Sequence, residues 1–153
     1  ILAEPSILRS LGYKARHTAS GQYGRNLEMS VDRLMTTLCT HNLLASKTFY
    51  QELFGFEIGF ESEWFIQLIH PKSKVELGLI VAGHELVPPR YQGAASGLFV
   101  TLVVEDVEGV FKTAEQHNYV VLQTPEPTFY GQKRLLLEDP AGVLVDVSTP
   151  LPI

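Results

Sequence analysis

From residue 33 onward, apolar residues recur first with the period of a strand and then with that of a helix. The run "LMTTLCTH" is β-branched and apolar, and Asn42 then occupies a helix-capping position ahead of "LLASKTFYQELFG". Gly55 is expected to end this helix. The runs "FEIGFES", "EWFIQLIH" and "VELGLIVAG" follow with strand character. The pattern predicts a strand, a helix and then three strands.

The same order returns after the segment "HELVPPRYQGAAS", which its prolines and glycine mark as a linker. "GLFVTLVVED" predicts a strand, "VEGVFKTAEQHN" a helix, and "YVVLQT", "GQKRLLLEDP" and "GVLVDVSTP" three strands. The sequence therefore predicts an α+β fold of two βαβββ repeats, at about 33–83 and about 97–149, with a linker at 84–96.

Side chains alternate between the two faces of a strand, which separates the lining of a cavity from the side that a helix covers. In the first strand of each repeat, the aliphatic set is expected to face the helix. The other set is then left for a concave side, and it comprises Met35, Thr37, Cys39 and His41 in the first repeat and Phe99, Thr101 and Val103 in the second. This mixture of apolar and polar groups is typical of a pocket for a small molecule.

Composition and charge narrow the class of protein. A chain of 153 residues, 45% hydrophobic and 19% charged, has the profile of one globular domain. The formal net charge of -5 argues against nucleic acid as a partner. Cys39 is the only cysteine, so an intrachain disulfide is impossible, and no apolar run is long enough to span a membrane. A soluble, cytoplasmic protein is expected.

Residues 1–30 differ in character from the rest and are expected to form an N-terminal arm or extension ahead of a domain at 31–153. They contain Arg9, Lys14, Arg16 and Arg25 together with the turn-forming stretch "TASGQYGRN". A short basic helix that contacts a partner is the alternative interpretation of this segment.

Three segments together resemble the vicinal oxygen chelate superfamily, which includes glyoxalase I, the bleomycin-resistance proteins and the extradiol dioxygenases. These segments are "TFYQELFGFEI", "VVEDVEGVFKTAEQHNY" and "YGQKRLLLEDPAGVLVDV". The resemblance implies a cupped, mixed β-sheet with helices packed outside and a small molecule bound in the cup. It also implies that two chains associate, so a homodimer is expected.

In metal-dependent members of that family, the resemblance puts the ligands on the first and last strand of each repeat. Those positions fall on Met35, Glu76, Phe99 and Asp146. A thioether and a phenyl ring cannot replace histidine as ligands of zinc, nickel or non-haem iron. We therefore expect a divergent member with no metal or other cofactor. A rearranged ligand set around the two acids, completed by a loop histidine such as His84, is the alternative.

Glu76 and Asp146 are the candidate catalytic residues, because they hold corresponding places in the two repeats. If both point into one cavity, repulsion between them should raise one pKa and create an acid/base pair. Alternatively, each carboxylate is hydrogen-bonded to a neighbouring strand or to a basic residue such as Arg134. The second interpretation is favoured, because a buried carboxylate without a partner is costly.

The remaining candidates concern recognition of the ligand. Trp64 and Tyr130 stand near strand starts, where an aromatic ring either edges a cavity mouth or simply packs, and Arg134 is a candidate anion contact. The sequence favours binding or sequestration of an apolar or aromatic ligand. A metal-dependent lyase, isomerase or dioxygenase-like enzyme and a ligand-sensing regulatory module that uses the basic arm are the alternatives.

Overall fold

The computed structural model of the chain describes residues 30–152. Of the predicted N-terminal arm it describes only Ser30, so the hypotheses about that segment lie outside the described residues.

The first repeat contains a strand, a helix and three further strands. They are β1 (Thr36–Thr40), α1 (Leu43–Phe54), β2 (Glu57–Glu61), β3 (Phe65–Ile69) and β4 (Glu76–Val81). The side chain of Asn42 accepts a hydrogen bond of 3.0 Å from the backbone N–H of Ala45, which caps α1. Gly55 ends the helix in the left-handed conformation, with φ of 71°. Both predicted helix ends are confirmed.

The second repeat has the same order. Its elements are β5 (Val100–Val103), α2 (Val107–Gln116), β6 (Val120–Pro127), β7 (Gln132–Glu138) and β8 (Leu144–Pro150). The Asp106 carboxylate caps α2 by accepting a hydrogen bond of 3.0 Å from the Gly109 N–H. The linker between the repeats contains a short 3-10 turn at Pro89–Tyr91. The predicted α+β fold with two βαβββ repeats is confirmed.

The strands form two four-stranded sheets, one in each repeat, in the orders β1-β4-β3-β2 and β5-β8-β7-β6. The pairs β1/β4 and β5/β8 are parallel, and the other neighbours are antiparallel. Within residues 30–152 the sheets do not close into one continuous cup, because every strand finds its ladder partners inside its own repeat.

Both helices and one face of each sheet share a single hydrophobic core. Phe49 and Tyr50 of α1 are fully buried, and the Phe49 ring packs edge-on against the rings of Tyr50 and Tyr119 at 4.9 Å between centroids. Leu79 from the first sheet and Val147 from the second join the same cluster. The repeats are thus held together by helix packing, and the opposite face of each sheet points away from this core.

Neither described helix combines the length and the apolar character that crossing a lipid bilayer requires.

Candidate functional site

The register of the strands shows which side chains lie on the face opposite the core. In the first sheet Leu38 belongs to the core, so its neighbours Thr37 and Cys39, which pair with Gly78 and Ile80, lie on the other face. In the second sheet Thr101 pairs with Asp146 on the corresponding face. Phe99 has the same phase as Thr101 and is 50% exposed. The strand alternation predicted from the sequence therefore matches the structure.

Glu76, at the start of β4, is held by two neighbouring side chains. The Nε and Nη2 atoms of Arg33 each donate a hydrogen bond of 2.5 Å to a different oxygen of the carboxylate. Gln67 adds a third hydrogen bond, from Nε2 to Oε1, at 2.7 Å. These bonds to Arg33, opposed by burial and aided by Gln67, lower the pKa of Glu76. Glu76 is thus kept charged and paired.

Asp146, the equivalent acid on β8, has a simpler environment. It is 7% exposed, and the Nε atom of Arg134 donates a hydrogen bond of 3.0 Å to its Oδ1 atom. The hypothesis that a basic residue such as Arg134 holds one of the acids is confirmed. Repulsion between the two acids would raise the pKa of one of them, but the pKa of Glu76 is lowered, because its nearest charged group is the guanidinium of Arg33.

The described residues do not fit the metal that the family resemblance implies. The Nη2 atom of Arg33 lies 2.5 Å from Glu76 Oε1 and 4.0 Å from the sulfur of Met35, so a guanidinium fills the space between two of the four predicted ligand positions. A divalent ion would compete with this group for the same carboxylate oxygens. Among the residues that the structure describes, no cluster of three or more His, Cys, Asp and Glu side chains could hold a metal.

The two aromatic candidates, Trp64 and Tyr130, each pack on a neighbouring ring. The indole of Trp64 stacks on the imidazole of His84, with 4.2 Å between centroids and 14° between planes. The Nδ1 atom of His84 accepts a hydrogen bond from the N–H of Leu86 at 3.2 Å. Tyr130 is 54% exposed in the turn between β6 and β7 and packs edge-on against Phe129. Neither Trp64 nor Tyr130 lines the cavity between β1 and the linker.

A cavity of about 610 Å³ lies between β1 and the linker, and we call it the linker cavity. The sheet contributes Thr36, Thr37, Leu38, Cys39 and Ile80, the linker contributes Leu86, Val87, Pro88, Arg90, Tyr91, Gly93, Ala94, Ala95 and Ser96, and Leu98 follows just after the linker. The Cys39 thiol donates a hydrogen bond of 3.3 Å to the carbonyl of Tyr91, which joins the two walls. Burial raises the pKa of this thiol, so it is a poor nucleophile.

The sequence did not reveal that the linker forms a wall of a cavity. Its prolines and glycine correctly marked a break between the repeats, but they say nothing about where a connecting segment packs. The available signal is the apolar content of the segment: Leu86 and Val87 are unusual residues for a purely solvated connection.

A second cavity, of about 500 Å³, lies between the end of α1 and β5. Its walls include Phe54, Phe56, Val75 and Leu102, and none of the predicted site residues. The ion pair of Lys72 with Glu105 at its rim is almost fully exposed, so it contributes little.

Asp139, an acid that the sequence reading did not single out, joins the two repeats. It is 3% exposed, and its Oδ1 atom accepts hydrogen bonds of 2.9 Å from the N–H groups of Ala141 and Val143. The hydroxyl of Tyr50, on the helix of the other repeat, donates to its Oδ2 atom at 2.7 Å. Burial, partly offset by these hydrogen bonds, raises the pKa of Asp139. The turn "EDPAG" was the available signal.

Comparison with known proteins agrees with this architecture. Residues 31–147 match the family model of the Glyoxalase/Bleomycin resistance protein/Dioxygenase superfamily. No curated protein matches the chain.

Solved structures with the same fold share little sequence with it. A glyoxalase/bleomycin resistance protein/dioxygenase family enzyme from Burkholderia phytofirmans is 22% identical with a TM-score of 0.65, over 76% of this chain and 97% of that one. Lactoylglutathione lyase from Agrobacterium tumefaciens is 19% identical with a TM-score of 0.60, over 80% and 96%. The bleomycin resistance determinant encoded on transposon Tn5 is 20% identical with a TM-score of 0.58, over 78% and 98%. The family match covers most of the chain, and the chain therefore belongs to the glyoxalase/bleomycin resistance protein/dioxygenase superfamily.

Proposed function

We propose that the protein binds a small apolar or aromatic molecule in the linker cavity and does so without a metal ion. The observation that carries this proposal is the cavity itself, which brings Thr37 and Cys39 of β1 opposite the apolar side chains of the linker. Its volume of about 610 Å³ lies within the range of pockets that enclose drug-sized ligands.

The lining of the cavity has the composition that such a ligand requires. Ile80, Leu86, Val87 and Leu98 supply aliphatic surface, whose burial against an apolar ligand is worth about 25 cal/mol per Å². The hydroxyl of Thr37 and a few other polar groups can orient the ligand. Binding is therefore expected to depend on shape and apolar area more than on any single polar contact.

Metal-free action is supported by the partners of the two acids. Arg33 and Gln67 occupy the oxygens of Glu76, and Arg134 holds Asp146, so both carboxylates already have a positive neighbour. The lowered pKa of Glu76 also makes it a weak general base. A binding protein needs neither a metal nor a base at these positions.

A homodimer forms part of the same proposal. The face of the second sheet that points away from the core carries Phe99 and Val103, which are 50% and 66% exposed. The strands β1, β2, β5 and β6 each lie at the edge of a sheet within residues 30–152. Contact with a second chain would cover apolar surface of this kind, and light scattering of the purified protein measures whether a dimer forms.

The cavity proposal is tested with the neutral fluorescent probe N-phenyl-1-naphthylamine. Gly93 lines the linker cavity, and its backbone has room for a side chain, so Gly93→Trp should fill the cavity without disturbing the fold. Gly83 has equal room but lies outside the cavity, so Gly83→Trp is the matched control.

We expect saturable binding of the probe to the native protein and to Gly83→Trp, and at least about tenfold weaker binding to Gly93→Trp. Circular dichroism and thermal melting check that both variants are folded. Equal binding to all three proteins would place the probe elsewhere and reject the linker cavity as the site.

A further inference from the structure

The charges around the linker cavity indicate the class of ligand. Among the described residues that line it, Arg90 is the only one with a formal charge. No residue in the range 30–152 forms an ion pair with Arg90. The acids of the sheet faces, in contrast, are engaged by arginines. The cavity thus presents one positive charge and no described carboxylate.

We propose that the ligand of the linker cavity carries one anionic group on an apolar body, with the anion placed at Arg90. This inference rests on the proposed function and adds the charge of the ligand to it. A guanidinium recognises a carboxylate or a sulfonate through charge-assisted hydrogen bonds, and its planar fork can bind two oxygens at once.

The backbone around Arg90 is held in place before any ligand arrives. Arg90 lies in the 3-10 turn that follows Pro88, and the N–H of Tyr91 donates a hydrogen bond of 2.8 Å to the Pro88 carbonyl. The side chain of Gln92 donates another, also of 2.8 Å, to the carbonyl of Val87. Two consecutive prolines further restrict the backbone. A preorganised turn lowers the entropy cost of placing a charge against a ligand.

The two ends of the cavity suit the two parts of such a ligand. Ile80, paired with Cys39 on the cavity face of the first sheet, is buried in the sheet wall, whereas Arg90 is exposed on the linker wall. An apolar body can therefore lie against the sheet while the anion stays close to solvent at the linker. A cationic ligand would be repelled by Arg90, and no carboxylate among the described lining residues would offset that repulsion.

The test compares two probes that share one aromatic frame and differ in charge. They are 1-anilinonaphthalene-8-sulfonate, which is anionic, and N-phenyl-1-naphthylamine, which is neutral. The readout is the ratio of their affinities for the native protein and for Arg90→Gln and Arg90→Lys. Lys112→Gln, which removes an exposed positive charge on α2 far along the chain from the linker, is the control.

We expect the native protein and Lys112→Gln to bind the anionic probe about fivefold more tightly than the neutral one at low salt. The ratio should fall to about one in Arg90→Gln and be partly retained in Arg90→Lys. It should also fall as salt is added, because ions screen an exposed charge. An unchanged ratio in Arg90→Gln would overturn the inference.

The outcomes separate this inference from the function on which it rests. If neither probe binds, or if Gly93→Trp leaves both bound, the linker cavity is not a binding site and the proposed function fails. If the neutral probe binds in the cavity as tightly as the anionic one, the proposed function stands and only the assignment of charge is rejected.

Discussion

The two repeats share an order of elements but treat their equivalent acids differently. Glu76 in the first repeat accepts three hydrogen bonds from Arg33 and Gln67, whereas Asp146 in the second accepts one from Arg134. The faces around them differ as well: the linker covers part of the first, and the second leaves Phe99 half exposed. Equivalent positions in a duplicated fold have thus acquired different surroundings. The linker cavity lies against the first sheet, although Glu76 is not among the residues that line it.

The turns that precede the two acids show the same divergence on a smaller scale. In the second repeat, Asp139 accepts backbone hydrogen bonds from Ala141 and Val143. In the first, the Nδ1 atom of His70 accepts them from Lys72 and Ser73, at 3.3 and 3.2 Å. Each of these residues directly precedes a proline, and its side chain stabilises the turn. Of the two, only Asp139 also accepts a hydrogen bond from a hydroxyl of the other repeat, that of Tyr50.

The largest expected effect comes from removing the arginine of each acid in turn. Arg33→Met strips Glu76 of two charge-assisted hydrogen bonds and should lower the free energy of unfolding by about 3 kcal/mol, because it leaves a mostly buried carboxylate unbalanced. Arg134→Met removes the one charge-assisted hydrogen bond that the described residues give Asp146 and should cost less, about 2 kcal/mol. Urea denaturation measures both losses. Equal losses would contradict the difference between the two acids.

The connection between the repeats is tested by removing a hydroxyl. Tyr50→Phe deprives the buried Asp139 of the donor to its Oδ2 atom and should cost about 2 kcal/mol of unfolding free energy. Tyr119→Phe is the matched control, because its hydroxyl donates to Glu52 at the surface, and it should cost less than about 1 kcal/mol. A larger loss in the control, measured by the same denaturation, would argue against Asp139 as the link.

The pH dependence of stability should have opposite signs for Glu76 and Asp139. The pKa of Glu76 is lowered by Arg33, so its contribution is present above the ordinary glutamate pKa and is lost as pH falls through the lowered value. The pKa of Asp139 is raised by burial, so its contribution is full below the ordinary aspartate pKa and is lost as pH rises through the raised value.

These signs are measured as differences from variants across the acid range. The stability gap between the native protein and Glu76→Gln should narrow as the pH falls. Relative to Asp139→Asn, the native protein should instead lose stability as the pH rises. If both stability differences changed in the same direction with pH, they would contradict the account in which pairing with Arg33 dominates for Glu76 and burial dominates for Asp139.

The smallest expected effect concerns the single thiol. Cys39 has a raised pKa and contacts the linker, so a thiol reagent should modify the native protein more slowly than the unfolded chain. Gly93→Trp, which fills the same cavity, should slow the reaction further, by about two- to threefold. Faster modification in that variant would show that the linker does not stay against β1.

Much of the fold could be predicted from sequence because its signals are local. Asn42 begins α1 and Gly55 ends it through local preferences of these two residue types. Strand alternation correctly placed Thr37 and Leu38 on opposite faces of the sheet. The separation of the sheets within the described residues could not be read in this way. It depends on whether strand edges from different repeats meet, and no local pattern encodes that.

The candidate site was harder to predict because its contacts are distant in sequence. Arg33 and Glu76 are 43 residues apart, and Arg33 lies just before β1. A charged residue at that position is usually solvated, so the sequence does not mark it as a partner of Glu76. Arg134 was foreseen because it lies on the strand beside Asp146. The stacking of Trp64 on His84 could not be predicted, because it involves a loop whose position no periodicity reveals.

The most direct test of metal-free binding is a titration of the purified protein with N-phenyl-1-naphthylamine in the presence of excess EDTA. The linker cavity predicts one probe site per chain. Because arginines already hold Glu76 and Asp146, zinc or nickel added in place of EDTA should leave the affinity of the probe unchanged. Binding that appears only after a divalent ion is added, and disappears again in Glu76→Gln, would contradict it.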